Sequence, residues 1–213
     1  MGIAGSLALL AWVGMGRTML TIKPQLNLKN AKGYFREHLA AGDYYSEEKV
    51  VAGEWVGVGA SKLGLKGAVK EDVFLDLCDG LNPQTGKGLT PRRNTTREEN
   101  GRTVSNRRVF FDVTYSPPKS VSVVAELQDK RIFAAHDRAV RAAVVKLEQY
   151  AETRVRRGGA DEERVTGNVV GAMFRHDTSR ELDPHLHTHC VLFNATYDDV
   201  EERWKDRWRR DVS

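Results

Sequence analysis

The segment "RVTGNVVGAMFRHDTSRELDPHLHTHCVLFNAT", residues 164–196, decides the fold. Two mostly apolar runs flank a polar turn around Arg180 to Pro184, which reads most simply as an antiparallel pair of strands. Side chains two apart on a strand share a face. His187 and His189 therefore lie side by side, roughly 7 Å apart at the Cα level. His176 ends the first strand, and pairing across the turn carries it back next to them. Three neutral imidazoles gathered on a sheet can bind a divalent cation and leave coordination positions open. His185 shares the face, but beside Pro184 at the frayed start of the strand it reads as peripheral.

Working outward, "RVFFDVTYSPPKSVSVVAEL" (108–127) is a strand up to Tyr115, a Pro-Pro break, and an apolar segment that opens a helix after Lys119. Asp112 is an acid inside the apolar part of that strand. Buried there it needs a partner, and a histidine ring N–H is a suitable one. "HDRAVRAAVVKLEQYAETRVRR" (136–157) is the clearest helix, with Val140, Ala143, Val144, Leu147 and Tyr150 as its buried stripe. "NAKGYFREHLA" (30–40) places Ala31, Tyr34, Phe35, His38 and Leu39 on one helical face, capped by Asn30. Taken alone, that window makes Tyr34 a packed core residue. "EWVGVGASKLGLKG" (54–67) reads as short turns and a helix, and 78–108 as a long exposed connection or hairpin region. The fold class expected is α+β, an antiparallel sheet covered on one face by helices.

The composition suits one soluble core: 213 residues, 40% hydrophobic and 29% charged, with a net charge of +4. Basic runs at Arg92–Arg108, Arg154–Arg157 and "RWKDRWRR" read as solvated faces, with nucleic-acid contact as the other option. Cys78 and Cys190 are far apart and outside any Cys-x-x-Cys pattern, which fits a reducing, cytoplasmic setting. The apolar run in residues 1–18 is too short to span a bilayer and has no preceding cation, so it is read as an N-terminal extension without stable membrane insertion. The core is expected over 19–200, with 201–213 a charged tail. A phosphate-binding loop is excluded around Lys87. Gly80 is one position too far from Gly86-Lys87, and Gly88 stands where a magnesium-binding hydroxyl belongs.

Taken in order, "GYF", "GDYY", "EWVGVGASKLGLKG", "FDVTYSPPKSVS" and "HDTSRELDPHLHTH" resemble the conjugative relaxases of the MobF, or TrwC/TraI, type over nearly all of residues 19–196. The resemblance implies a relaxase (HUH endonuclease) palm with the metal site at the sheet centre. The implied activity is nicking and strand transfer of single-stranded DNA at a transfer origin through a 5′-phosphotyrosine. It assigns His176, His187 and His189 to the metal and Asp112 to orienting one of them. Tyr34 becomes the nucleophile, with Tyr44 and Tyr45 a second pair for a later strand transfer. Where the family commonly has two adjacent tyrosines, this chain has Tyr34-Phe35, so the first step falls to Tyr34 alone. Lys119, Arg175 and Arg180 flank these motifs as candidate phosphate contacts. The implied cofactor is a divalent ion, Mg²⁺ or Mn²⁺ in use, with Zn²⁺ or Ni²⁺ also suited to three histidines. Partners implied besides DNA are accessory relaxosome and coupling proteins. The family's helices beyond the His-x-His strand have no counterpart before Ser213, which suggests a shortened domain. Two further readings stand beside this one: a DNA-binding relaxase remnant that does not nick, and a three-histidine hydrolase of small substrates.

Overall fold

The computed structural model describes residues 20–39, 53–91, 96–99, 102–105, 108–179, 181 and 183–207. Its centre is a five-stranded sheet in the order β1-β5-β9-β8-β2. The strands are β1 (Leu20–Gln25), β2 (Glu54–Val56), β5 (Phe110–Tyr115), β8 (Gly171–Thr178) and β9 (Pro184–Phe193), and every neighbouring pair is antiparallel. The expected β8–β9 pairing is present, with His176 opposite His187 and an irregularity between His176 and Thr178. β9 takes the central position because its second half, Cys190–Phe193, is buried on both faces.

Helices cover both faces of this sheet, not one as expected. The first face carries α1 (Leu28–Tyr34), the π-helical turn Phe35–Leu39 that continues it, α2 (Val58–Lys62) and α3 (Glu71–Asp79). Its core includes Phe35, Leu39, Leu63, Phe74, Phe110, Phe174 and Phe193. The second face packs Phe111, Val113, Met173, Cys190 and Leu192 against Val140 and Val144 of α5 (Arg131–Glu148). β5, the first half of β8 and the second half of β9 alternate between these two cores, which is why their apolar residues run nearly without interruption instead of at every second position. α4 (Lys119–Leu127) lies beside the first half of β9, beyond the end of β5 at the Tyr115–Thr188 pair. There the Leu186 N–H donates to Ser122 Oγ at 3.1 Å, so the unpaired stretch of strand keeps a partner.

Several local expectations change. The first helix starts at Leu28, and its cap is Asn27, whose side chain accepts from the Asn30 N–H at 3.2 Å. α5 ends at Glu148. Tyr150 is exposed, and residues 152–157 are strand β6 (Glu152–Arg157) paired with β7 (Ala160–Val165) across a Gly158-Gly159 turn. By contrast, the hairpin expected as one option for 78–108 is present, as β3 (Thr96–Glu99) paired with β4 (Arg102–Ser105). Residues 201–207 belong to the fold. β10 (Thr196–Asp198) pairs with β11 (Arg203–Lys205), and the buried Asp198 takes Arg164 at 2.7 Å and Lys205 at 3.4 Å. Past residue 200, Glu201 pairs with Arg203 at 2.5 Å and with Lys205 at 2.5 Å.

Two long-range ties set the angles of these elements. Glu148 is buried, and its Oε1 accepts the N–H of Val58 at 2.7 Å and of Val169 at 3.0 Å, joining the end of α5 to the start of α2 and the approach to β8. Gly57 permits the close approach. It has φ +97°, and a Cβ there would lie 2.4 Å from the Val169 carbonyl oxygen. No described helix is long and apolar enough to cross a membrane. The apolar extension, residues 1–18, lies outside the described residues.

Candidate active site

The site is built on the first face, where β5, β9 and β8 run side by side. Register sets Asp112 opposite Val191, Thr114 opposite His189, Phe174 opposite His189, and His176 opposite His187, so these residues share one face by strand alternation. The ring centroids of His176, His187 and His189 form a near-equilateral triangle with sides of 5.1, 5.1 and 5.5 Å. An ion about 2.1 Å from each ring nitrogen sits about 3.2 Å from each centroid, and tetrahedral angles then put the centroids about 5.3 Å apart. The spacing therefore suits three imidazoles around one divalent ion. Among the described residues no three such donors already enclose a single point, so a bound ion would have to turn the rings inward.

Hydrogen bonding determines which nitrogen of two of these rings carries the proton. His187 Nδ1 lies 2.8 Å from the His185 carbonyl oxygen, which only accepts. Nδ1 is therefore the donor, and Nε2 keeps its lone pair. His189 Nδ1 lies 2.8 and 3.0 Å from the two oxygens of Asp112 and donates for the same reason. Burial, its largest cause, lowers the His187 pKa to about 4, with the neighbouring histidines adding to the shift against the hydrogen bond to His185. A neutral imidazole is the form that ligates a metal.

Asp112, 1% exposed, is the centre of the polar network. Besides His189 it accepts the Tyr34 hydroxyl on Oδ2 at 2.5 Å and a longer bond from Thr114 on Oδ1 at 3.4 Å. Tyr34 is the last residue of α1 and is only half-buried, its ring lying edge-on to His189 at 6.4 Å between centroids. Its neighbour Phe35 points into the core, 4.7 Å from Phe74 and 5.8 Å from Phe174. The helix turn thus separates the pair, one ring to the site and one to the interior.

Tyr34, Asp112, His176, His187 and His189 are therefore brought together. Tyr44, Tyr45 and Arg180 lie outside the described residues. Lys119 begins α4 near this end of the sheet, exposed, with its ammonium 3.5 Å from Asp183. Arg175 is on the wrong face. Strand alternation turns it away from its neighbour His176 toward α5, where it pairs with Asp137 at 2.7 Å and Asp177 at 3.1 Å beside the Phe133 ring. His185 is less peripheral than expected, since its ring stacks on His187 at 4.7 Å. Burial and the nearby Lys119 charge lower its pKa. Thr114 was missed, although the Asp-x-Thr spacing on one strand put it on the face of Asp112.

A model of the TrwC relaxase family matches residues 28–212. The chain belongs to the TrwC relaxase family. It is 44% identical over 174 residues to the multifunctional conjugation protein TraI of Escherichia coli, a match covering 78% of this chain and 9% of that protein. The solved structure of the conjugative relaxase TrwC in complex with oriT DNA, metal-bound, superposes with a TM-score of 0.70 at 35% identity, covering 89% of this chain and 61% of that one. TrwC complexed with a 27-mer DNA comprising the recognition hairpin and the cleavage site gives 0.70 at 30% identity, over 91% and 61%. This member of the family thus spans about three fifths of those TrwC chains and a small part of TraI.

Proposed function

We propose that this protein nicks single-stranded DNA at a transfer origin and transfers the cut strand, forming a 5′-phosphotyrosine on Tyr34. The observation that carries the reading is the 2.5 Å bond from the Tyr34 hydroxyl to Asp112, made beside three histidines on one sheet face. The similar structure of TrwC in complex with oriT DNA, metal-bound, supports it.

A phenol with an ordinary pKa near 10 is a weak nucleophile at neutral pH. Asp112 is within reach to take its proton as the bond to phosphorus forms. Tyr34 Oη attacks phosphorus as its proton passes to Asp112, the bond from phosphorus to the 3′ oxygen breaks, and that oxygen is protonated from solvent while Asp112 releases its proton to solvent. Reversal by the same or another 3′ hydroxyl restores the phosphodiester, and no nucleotide cofactor is required. His176, His187 and His189 are the residues suited to a divalent ion, which when bound neutralises charge on the non-bridging phosphate oxygens. Asp112 keeps the His189 proton on Nδ1 and the His185 carbonyl does the same for His187, leaving each Nε2 as the lone-pair nitrogen. By affinity imidazoles favour Zn²⁺, Ni²⁺ or Cu²⁺, whereas by availability Mg²⁺ or Mn²⁺ is the ion in use. Lys119 remains a candidate phosphate contact, Tyr44 or Tyr45 the agent of a second transfer, and accessory relaxosome and coupling proteins the partners. A cytoplasmic location belongs to the same reading.

The test is to incubate the protein with transfer-origin single strands and Mg²⁺ or Mn²⁺ and look for an SDS-resistant adduct. Its presence in wild type and loss in Tyr34→Phe is the expected result. DNA binding with no adduct makes this a binding module, and no DNA binding favours a small-substrate hydrolase.

A further inference from the structure

Thr114 lies two residues beyond Asp112 on β5 and directly opposite His189 on β9. Its hydroxyl is 3.2 Å from His189 Nδ1 and 3.4 Å from Asp112 Oδ1. Counting protons leaves one arrangement. His189 Nδ1 carries a hydrogen because the carboxylate beside it only accepts, so toward that nitrogen the Thr114 oxygen is an acceptor. Its own single hydrogen is then directed at its other neighbour, Asp112 Oδ1. Meanwhile Oδ2 receives both the Tyr34 hydroxyl at 2.5 Å and the shorter of the two contacts from His189, 2.8 Å.

A carboxylate rotates about a broad, two-fold torsion, and the two shortest contacts here both fall on Oδ2, leaving Oδ1 the longer His189 contact at 3.0 Å. Thr114 adds a second donor on Oδ1, while giving the His189 N–H a further acceptor. We infer that Thr114 is a positioning residue for the tyrosine step: its hydroxyl ties Asp112 Oδ1 to His189 and keeps Oδ2 turned to Tyr34. The inference rests on the nicking reaction proposed above for its kinetic test only. The 3.4 Å bond is long, so the expected effect is moderate.

Thr114→Val removes the hydroxyl and keeps the shape, whereas Thr114→Ser keeps the hydroxyl. In single-turnover nicking the valine variant is expected to be about tenfold slower, with oligonucleotide affinity within about twofold, and the serine variant to stay within about threefold of wild type. In the metal-free protein without DNA, the His189 Nδ1–H proton resonance should move in the valine variant and not in the serine variant. A valine variant as fast as wild type, or a serine variant as slow as valine, overturns the inference. Should wild type form no adduct, the proposed function fails by itself, and the imidazole resonance alone decides the role of Thr114. If the valine variant does not fold, Thr114→Ala is measured the same way with the same expectations.

Discussion

Asp112 shows what one buried charge requires. A carboxylate 1% exposed is tolerated because it receives donors from Tyr34, His189 and Thr114, from a helix and two strands. Asp112→Asn leaves an amide that cannot accept from all three. Nicking should fall about 10²-fold or more, and metal affinity about tenfold, in single-turnover assays and metal titrations respectively. The neighbouring pair Tyr34-Phe35 gives a sharper expectation. Because Phe35 packs between Phe74 and Phe174, moving the hydroxyl one residue on should not move the reaction with it. The double variant Tyr34→Phe, Phe35→Tyr should yield no covalent adduct, and an adduct from it would show that the helix turn does not separate the two positions.

At the scale of elements, the polar ties fix where the strands meet the helices. Glu148 joins the end of α5 to α2 and to the approach to β8 through two backbone N–H groups. Glu148→Ala leaves the buried Val169 N–H and the part-buried Val58 N–H without this acceptor and should lower unfolding free energy by about 2 kcal/mol, read from the urea midpoint. The β10–β11 turn makes the opposite point. Glu202, exposed, has φ 48°, and no other described residue except glycine has positive φ. Glu202→Gly should raise stability by about 0.5–1 kcal/mol, since relief of the left-handed strain exceeds the added chain entropy. An unchanged or lower midpoint would contradict that backbone assignment.

For the whole molecule, buried histidines set the response to pH and metal. Burial lowers the pKa of His136 and His185, and that of His187 to about 4, against an ordinary 6.5. Between those values the unfolded chain binds more protons than the folded one, so stability rises with pH there. The metal-free protein should be most stable above about pH 6.5 and lose stability as the pH falls toward 4. A denaturation midpoint that is flat across this window would count against the burial of these rings. A divalent ion that binds only the folded site adds about 2.7 kcal/mol at a concentration 100 times its Kd. A chelator should reverse that gain, and His187→Ala should abolish it.

Much of the site was legible from local pattern. The two-residue period of a strand joins His187 to His189 and Asp112 to Thr114, and a short turn between strands returns His176 to His187, so spacing alone determined those neighbours. Other features came only with the tertiary structure. Tyr34 sits on the same helical stripe as Phe35 and Leu39, and the sequence window cannot say which of them ends at the edge of the core. That depended on where the helix crosses the sheet and on the π-helical turn after it. Arg175 looked like a site residue because it adjoins His176 in the chain, yet alternation sends it to the opposite face. The buried charge of Lys205 reads in the sequence as part of a solvated tail, because a sequence displays charges but not their partners. Periodicity is a property of a few consecutive residues and survives in the sequence, whereas pairing between distant elements is a property of packing and exists only in the folded chain.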